Sequence, residues 1–157
     1  MAAPVRRLED GRRSAAGVEP SYQASLRRLV FVGAALTVLA TAADVILATA
    51  LRTALGVPAG FSPLTVPSVA STTIVGMIGA TVVFGWIAHV RPNPRATFVR
   101  IAAGALVLSW VPDLLIWVTG IFPATTGNGI LSLMSLHVVA AACAVGILYR
   151  FGLGTRN

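Results

Sequence analysis

Charged side chains are scarce in this sequence of 157 residues: they make up 11% of it, and lysine is absent altogether. A soluble domain of this length carries about twice that charged fraction. Hydrophobic residues form 56% of the chain, and they are gathered into long runs rather than spread evenly. An ordinary soluble domain is therefore excluded, and an integral membrane protein is indicated.

Cysteine is nearly absent, and the familiar motifs of catalysis are missing. The single Cys143 excludes an intrachain disulfide and a cysteine-based metal motif, so we interpret it as a small packing residue. No P-loop and no nucleophile–base motif occurs. His89 and His137 lie at very different depths of their apolar runs, so they cannot bind one haem iron between them. We expect no enzymatic activity, no cofactor and no resident metal ion.

Four apolar runs can each cross a membrane as a helix. They cover about residues 29–51, 66–89, 99–119 and 130–149, and a hydrocarbon core of about 30 Å needs about 20 helical residues. The first run is too long for the core of an export signal, which has about 7–15 residues. We predict an all-α integral membrane four-helix bundle of up-down topology over residues 29–150.

The arginines indicate how this bundle is oriented. Eleven of the twelve lie in the two tails or in the second connector, and Arg52 alone lies in the first connector. Because positive charge stays on the cytoplasmic side, both termini are predicted to be cytoplasmic. Residues 1–28 are polar and lack apolar periodicity, so a disordered cytoplasmic tail is expected there, and residues 151–157 form a second tail. The use of arginine without lysine, with abundant alanine, glycine and valine, suggests a GC-rich bacterial genome and hence the bacterial cytoplasmic membrane.

The net charge of +7 raises the question of a nucleic-acid partner. The arginines lie in tails and connectors, however, with no folded polar domain to present them as a binding face. Contact with anionic lipid headgroups explains them better. The expected partners are the lipid bilayer and either another membrane protein or a second copy of the chain, with no nucleic acid.

Three ionisable side chains lie inside the predicted spans: Asp44, Asp113 and His137. From a helix rise of 1.5 Å per residue, Asp44 and Asp113 lie about 20 Å from the cytoplasmic ends of their spans, and His137 lies about 10 Å below an outer end. All three therefore reach a similar level in the outer half of the bilayer, with Thr72 and Thr73 slightly above. A carboxylate facing lipid costs roughly 2.5–3.5 kcal/mol, so these groups are predicted to face inward as one polar cluster.

Two interpretations of this cluster stay open. In the first, the groups hydrogen-bond one another and hold the helices in one packing, and the protein acts by helix packing or association with a partner. This non-enzymatic role is the leading prediction. In the second, the groups form a proton, ion or small-ligand site of a small transporter or channel. A metal ion held by Asp44, Asp113 and His137 is conceivable, but three ligands on three helices are a weak pattern.

Three segments resemble an uncharacterised family of small bacterial proteins with four membrane spans, a domain of unknown function. They are Ala50-Leu-Arg-Thr-Ala-Leu-Gly-Val57, Ser109-Trp-Val-Pro112 and Leu131-Ser-Leu-Met-Ser-Leu-His137. The resemblance covers about residues 28–150. It implies the four-span architecture, and it supplies no catalytic or binding residues.

Overall fold

The protein is all-helical in the part of the chain that the computed structural model describes, residues 25–154. Residues 1–24 of the predicted N-terminal tail and residues 155–157 of the C-terminal tail lie outside it. Its four long helices are α1 (Leu26–Ala54), α2 (Val66–Val90), α3 (Pro94–Thr119) and α4 (Gly127–Phe151). Each is long and apolar enough to span a membrane. The prediction of an all-α, multi-pass membrane protein with four spans is confirmed.

The helices are longer than the apolar runs because polar caps extend them. The Asn93 side chain accepts a hydrogen bond from the backbone N–H of Ala96 (3.2 Å), and Pro94 occupies the first helical turn. Proline suits that position because its missing N–H would have no helical partner there. As a result α3 begins at Pro94 rather than near 99. Thr126 caps α4 in the same way, through the N–H of Gly129 (3.1 Å).

Close packing of α1 against α2 depends on glycine. A methyl group added at Gly33 would lie 2.5 Å from Cγ2 of Thr81, and one added at Gly85 would lie 2.5 Å from Cδ2 of Leu29. Small residues at such points let membrane helices approach closely. α1 also packs on α4, and α4 packs on α3. α3 is the most peripheral helix, since only Pro94, Phe98 and Asp113 are buried in it.

Two separate clusters of buried apolar side chains fill the bundle. One lies around Leu36, Phe84 and Leu148, and the other lies around Phe61 and Ile130. On α1, Asp44 lies between Ala40 of the first cluster and Ala48 of the second. On α2, Thr73 lies between Met77 of the first cluster and Val69 of the second. The polar residues therefore form a layer between two apolar clusters.

Contacts at the helix ends tie distant parts of the chain together. Nε of Arg28 donates a hydrogen bond to the carbonyl oxygen of Phe151 (2.8 Å), and the guanidinium of Arg95 lies 5.1 Å from the centre of the Tyr149 ring. Elsewhere, the Asn128 amide donates to the carbonyl oxygen of Leu55 (2.9 Å).

The first connector is an ordered cover over the bundle rather than an open loop. It contains a short 3₁₀ helix, Ser62–Leu64, and places Phe61 in the second apolar cluster, where it is fully buried. A Cβ atom at Gly129 would lie 2.9 Å from the Phe61 ring, so the glycine makes room for the aromatic side chain.

Candidate intramembrane polar site

Asp44 lies at the contact between α1 and α2. Its exposed fraction is 2%, and its Oδ2 accepts a hydrogen bond of 2.8 Å from the Thr73 hydroxyl, which is buried as well. Its other carboxylate oxygen, Oδ1, has no hydrogen-bond partner among residues 25–154. Most buried polar atoms in proteins are paired, so an unpaired carboxylate oxygen needs a physical explanation.

Asp113 and His137 join α3 to α4. Nε2 of His137 lies 3.3 Å from Oδ2 of Asp113, and Asp113 is 4% exposed. This separation is short enough for an ion pair, but the two atoms are not aligned as in a hydrogen bond. Oδ2 of Asp113 therefore has no hydrogen-bond partner within residues 25–154. The His137 side chain is 38% exposed and can reach other groups. Pro112 precedes the carboxylate and cannot donate a backbone hydrogen bond to Leu108.

A cavity of about 260 Å³ brings these groups into one site, which we call the polar cavity. Four of the five predicted cluster residues line it, namely Asp44, Thr72, Thr73 and His137. The fifth, Asp113, reaches the site through its contact with His137. Most of the remaining lining is apolar and comes from α2, α4 and Pro63 of the first connector.

Thr72 differs from Thr73 in what its hydroxyl does. It donates to carbonyl oxygens of its own helix, those of Ser68 (2.8 Å) and Val69 (3.1 Å). Thr72 therefore contributes wall to the polar cavity and no bond to another helix. The two adjacent threonines, which the sequence could not distinguish, have different roles.

The prediction omitted three polar residues near the cluster. Ser109 lines the polar cavity from α3, one helical turn before Asp113. The Thr41 hydroxyl and the Trp110 indole N–H are buried without a hydrogen-bond partner in the described part of the chain. The spacing of four residues between Ser109 and Asp113 is the sequence signal that pointed to Ser109.

The charges of the site are unbalanced. Two carboxylates and one imidazole lie in or beside the polar cavity, and no arginine of residues 25–154 lines it. A single imidazole can neutralise at most one of two carboxylates, so the charge of the site favours a bound cation in a medium of low dielectric constant. Within residues 25–154, no group of three or more histidine, cysteine or acidic residues is placed to hold a metal ion.

Comparison with known proteins places this architecture in a family. Residues 22–152 match a family of unknown function (DUF6069), and that range includes the four helices and the polar cavity. No curated protein and no solved structure matches the chain.

Proposed function

Because the chain belongs to this family of unknown function, we propose its role from the geometry of the polar site. The protein is a non-enzymatic transporter or channel of the bacterial cytoplasmic membrane, and its polar cavity binds a proton or small solute. The observation that carries this proposal is the unpaired Oδ1 of Asp44, a buried carboxylate residue that lines a cavity.

A purely structural cluster would be built differently. Buried polar networks stabilise a fold when each member is satisfied, and a partly satisfied one is costly. Here Asp44 keeps one oxygen free beside a cavity that His137 also lines, and Asp113 contacts His137 without a hydrogen bond. Ionisable residues inside a membrane are functional candidates by default. A binding site explains the unpaired oxygen of Asp44, whereas packing alone does not.

For the orientation, we propose an up-down bundle with both termini in the cytoplasm. Residue numbers rise along α1 and fall along α2 in three successive contacts between these helices, which supports an antiparallel pair. The contacts are Leu29–Gly85, Gly33–Thr81 and Asp44–Thr73. The Arg28–Phe151 contact brings the start of α1 beside the end of α4. With the positive-inside rule, the polar cavity then lies in the outer half of the bilayer, beneath the first connector.

Proton flux into proteoliposomes tests the proposal. Liposomes that contain the protein and a pH-sensitive dye are given a membrane potential, and acidification of the interior is followed. The wild type should acidify the interior several-fold faster than protein-free liposomes, and Asp44→Asn should remove that increase. Thr49→Val is the matched control, because the Thr49 hydroxyl bonds within α1 and the residue does not line the polar cavity. A wild type no faster than empty liposomes, or Asp44→Asn as fast as the wild type, would reject proton transport through this site.

Association with a membrane partner, the leading function on sequence grounds, is the second candidate. The observation in its favour is the weak burial of α3, on which Leu108, Leu115 and Val118 are among the large exposed apolar residues. Self-association can be measured by energy transfer between labelled copies of the protein. The measurement is made in nanodiscs and in bilayers in which lipid dilutes the protein increasingly. Transfer that persists on dilution, and that Leu108→Trp weakens, supports this candidate. Transfer that falls to the level of random encounters rejects self-association.

A further inference from the structure

A second, apolar cavity of about 320 Å³ lies beside the polar cavity, between α2, α3 and α4, and we call it the apolar groove. Both are lined by the same five residues at their junction, namely Gly76, Met77, Ser109, His137 and Ala140. The two spaces therefore meet at His137. Together they fall within the range of about 300–1,000 Å³ that is usual for small-molecule sites.

The apolar groove exists because its walls carry small side chains. A Cβ atom added at Gly76 or Gly79 would meet nothing within 4 Å, so both glycines face open space. Val83 and Ile101 also line the groove and are partly exposed at the surface of the bundle. In a membrane that surface faces lipid tails, so the groove opens toward the hydrocarbon region.

The polar end of this combined site favours a cation that can donate a hydrogen bond. Asp44 has one oxygen without a donor, and its one hydrogen-bond partner in the described chain is the Thr73 hydroxyl. The Asp113 carboxylate is placed against His137, the only basic side chain of residues 25–154 that lines either cavity. An ammonium group would supply Asp44 with both a positive charge and an N–H donor.

Because the cavity with the unpaired Asp44 carboxylate adjoins an open apolar groove, we propose that the protein binds amphiphilic amines. The protonated amine lies at Asp44, and the apolar tail lies in the groove between α2 and α3. The ligand enters sideways from the lipid. This inference rests on the proposed function, since it identifies the class of solute for the same site.

Binding to nanodiscs of zwitterionic lipid tests the proposal, with protein-free nanodiscs as the background. Three radiolabelled probes share one tail and differ in the head: dodecylamine, dodecyltrimethylammonium and dodecanol. The amine should bind at least tenfold more tightly than the alcohol, which lacks the charge. The quaternary ammonium should bind more weakly than the amine because it keeps the charge but has no N–H to donate. Equal affinities for the amine and the alcohol would overturn the proposal.

Variants separate the contributions of head and tail. Asp44→Asn should weaken binding of dodecylamine at least tenfold. Gly79→Leu should do the same by filling the groove, in a place where its Cβ meets no neighbour. Gly104→Leu is the matched control, since Gly104 also has open space but does not line either cavity, and it should bind as the wild type does. Unchanged binding in Asp44→Asn, or equal binding by the two leucine variants, would overturn the proposal.

The two proposals can fail separately. Proton flux that depends on Asp44, without saturable dodecylamine binding, would reject the amphiphilic amine and leave transport in place. Dodecylamine binding that depends on Asp44 and Gly79, in a protein that conducts no protons, would support the amine site and reject the proposed proton pathway.

Discussion

The Thr73 hydroxyl on α2 donates a hydrogen bond of 2.8 Å to the Asp44 carboxylate on α1, in a layer between two apolar clusters. This bond joins two helices at the one place where their shared interface carries a carboxylate. It also leaves the second oxygen of Asp44 unpaired beside a cavity. The same residue thus contributes to helix packing and to the candidate site.

Removal of the Thr73 hydroxyl should destabilise the protein. Thr73→Val keeps the shape of the side chain but leaves the Asp44 carboxylate without its hydrogen-bond donor, which should lower the free energy of unfolding by about 1–2 kcal/mol. Thr72→Val should change it by less than about 0.5 kcal/mol, because the Thr72 hydroxyl bonds only within its own helix. Unfolding in mixed micelles by increasing amounts of dodecyl sulfate measures both. Equal stabilities of the two variants would contradict the importance of the interhelical bond.

Close approach of α1 and α2 should depend on Gly33. In Gly33→Ala the added methyl group would meet Thr81, and relief of that overlap should cost about 1–3 kcal/mol. Gly104→Ala adds the same methyl group in open space on α3, where replacement of glycine stabilises a helix by up to about 1 kcal/mol. Thermal unfolding in detergent compares the variants. A Gly33→Ala protein as stable as Gly104→Ala would show that the helices are not in close contact at this point.

The Phe61 side chain should be a major source of stability for the first connector. It is fully buried against α4, so Phe61→Ala should lower the free energy of unfolding by about 3–5 kcal/mol. Phe122→Ala, in the partly exposed last connector, should cost less than about 1 kcal/mol. Limited proteolysis should also cut the first connector faster in Phe61→Ala. A connector that stays resistant in this variant would contradict its role as a packed cover.

Orientation in the membrane follows from the distribution of arginine. A reporter fused after Asn157 should be active in the cytoplasm, and one inserted in the connector at 120–129 should be active outside. The reason is that eleven of the twelve arginines lie in the two tails or the second connector, and positive charge stays on the cytoplasmic side. At each position two reporters are compared, one that is active only in the cytoplasm and one that is active only outside, so that each serves as the control for the other. The reverse pattern would place the polar cavity in the inner half of the bilayer.

The number of helices and the polar cluster could be predicted from the sequence because both follow from one-dimensional patterns. Apolar length determines the spans, and helix rise brings Asp44, Asp113 and His137 to one depth. Helix ends were less predictable, since Asn93 and Thr126 act through their own side-chain caps.

Side-chain partners could not be predicted, because they depend on the rotation of each helix about its axis. Helix rise alone does not tell that Thr73 bonds to Asp44 while its neighbour Thr72 bonds within α2. The apolar groove was also missed. Such a space depends on how far apart α2 and α3 lie. Glycine and alanine can line an open groove, but they are just as typical of places where two helices are in close contact, so their presence does not predict a groove.

Access of water to the polar cavity from outside tests the central claim most directly. In a Cys143→Ala background, Thr72→Cys places a thiol in the wall of the cavity, and Val75→Cys places one on the exposed apolar surface of α2. A charged, membrane-impermeant thiosulfonate reacts with thiolates, which form in water and not in lipid. Added outside right-side-out vesicles, it should label Thr72→Cys rapidly and Val75→Cys barely. Equally slow labelling of both, or labelling of Thr72→Cys only from the cytoplasmic side, would contradict a solute site in the outer half of the bilayer.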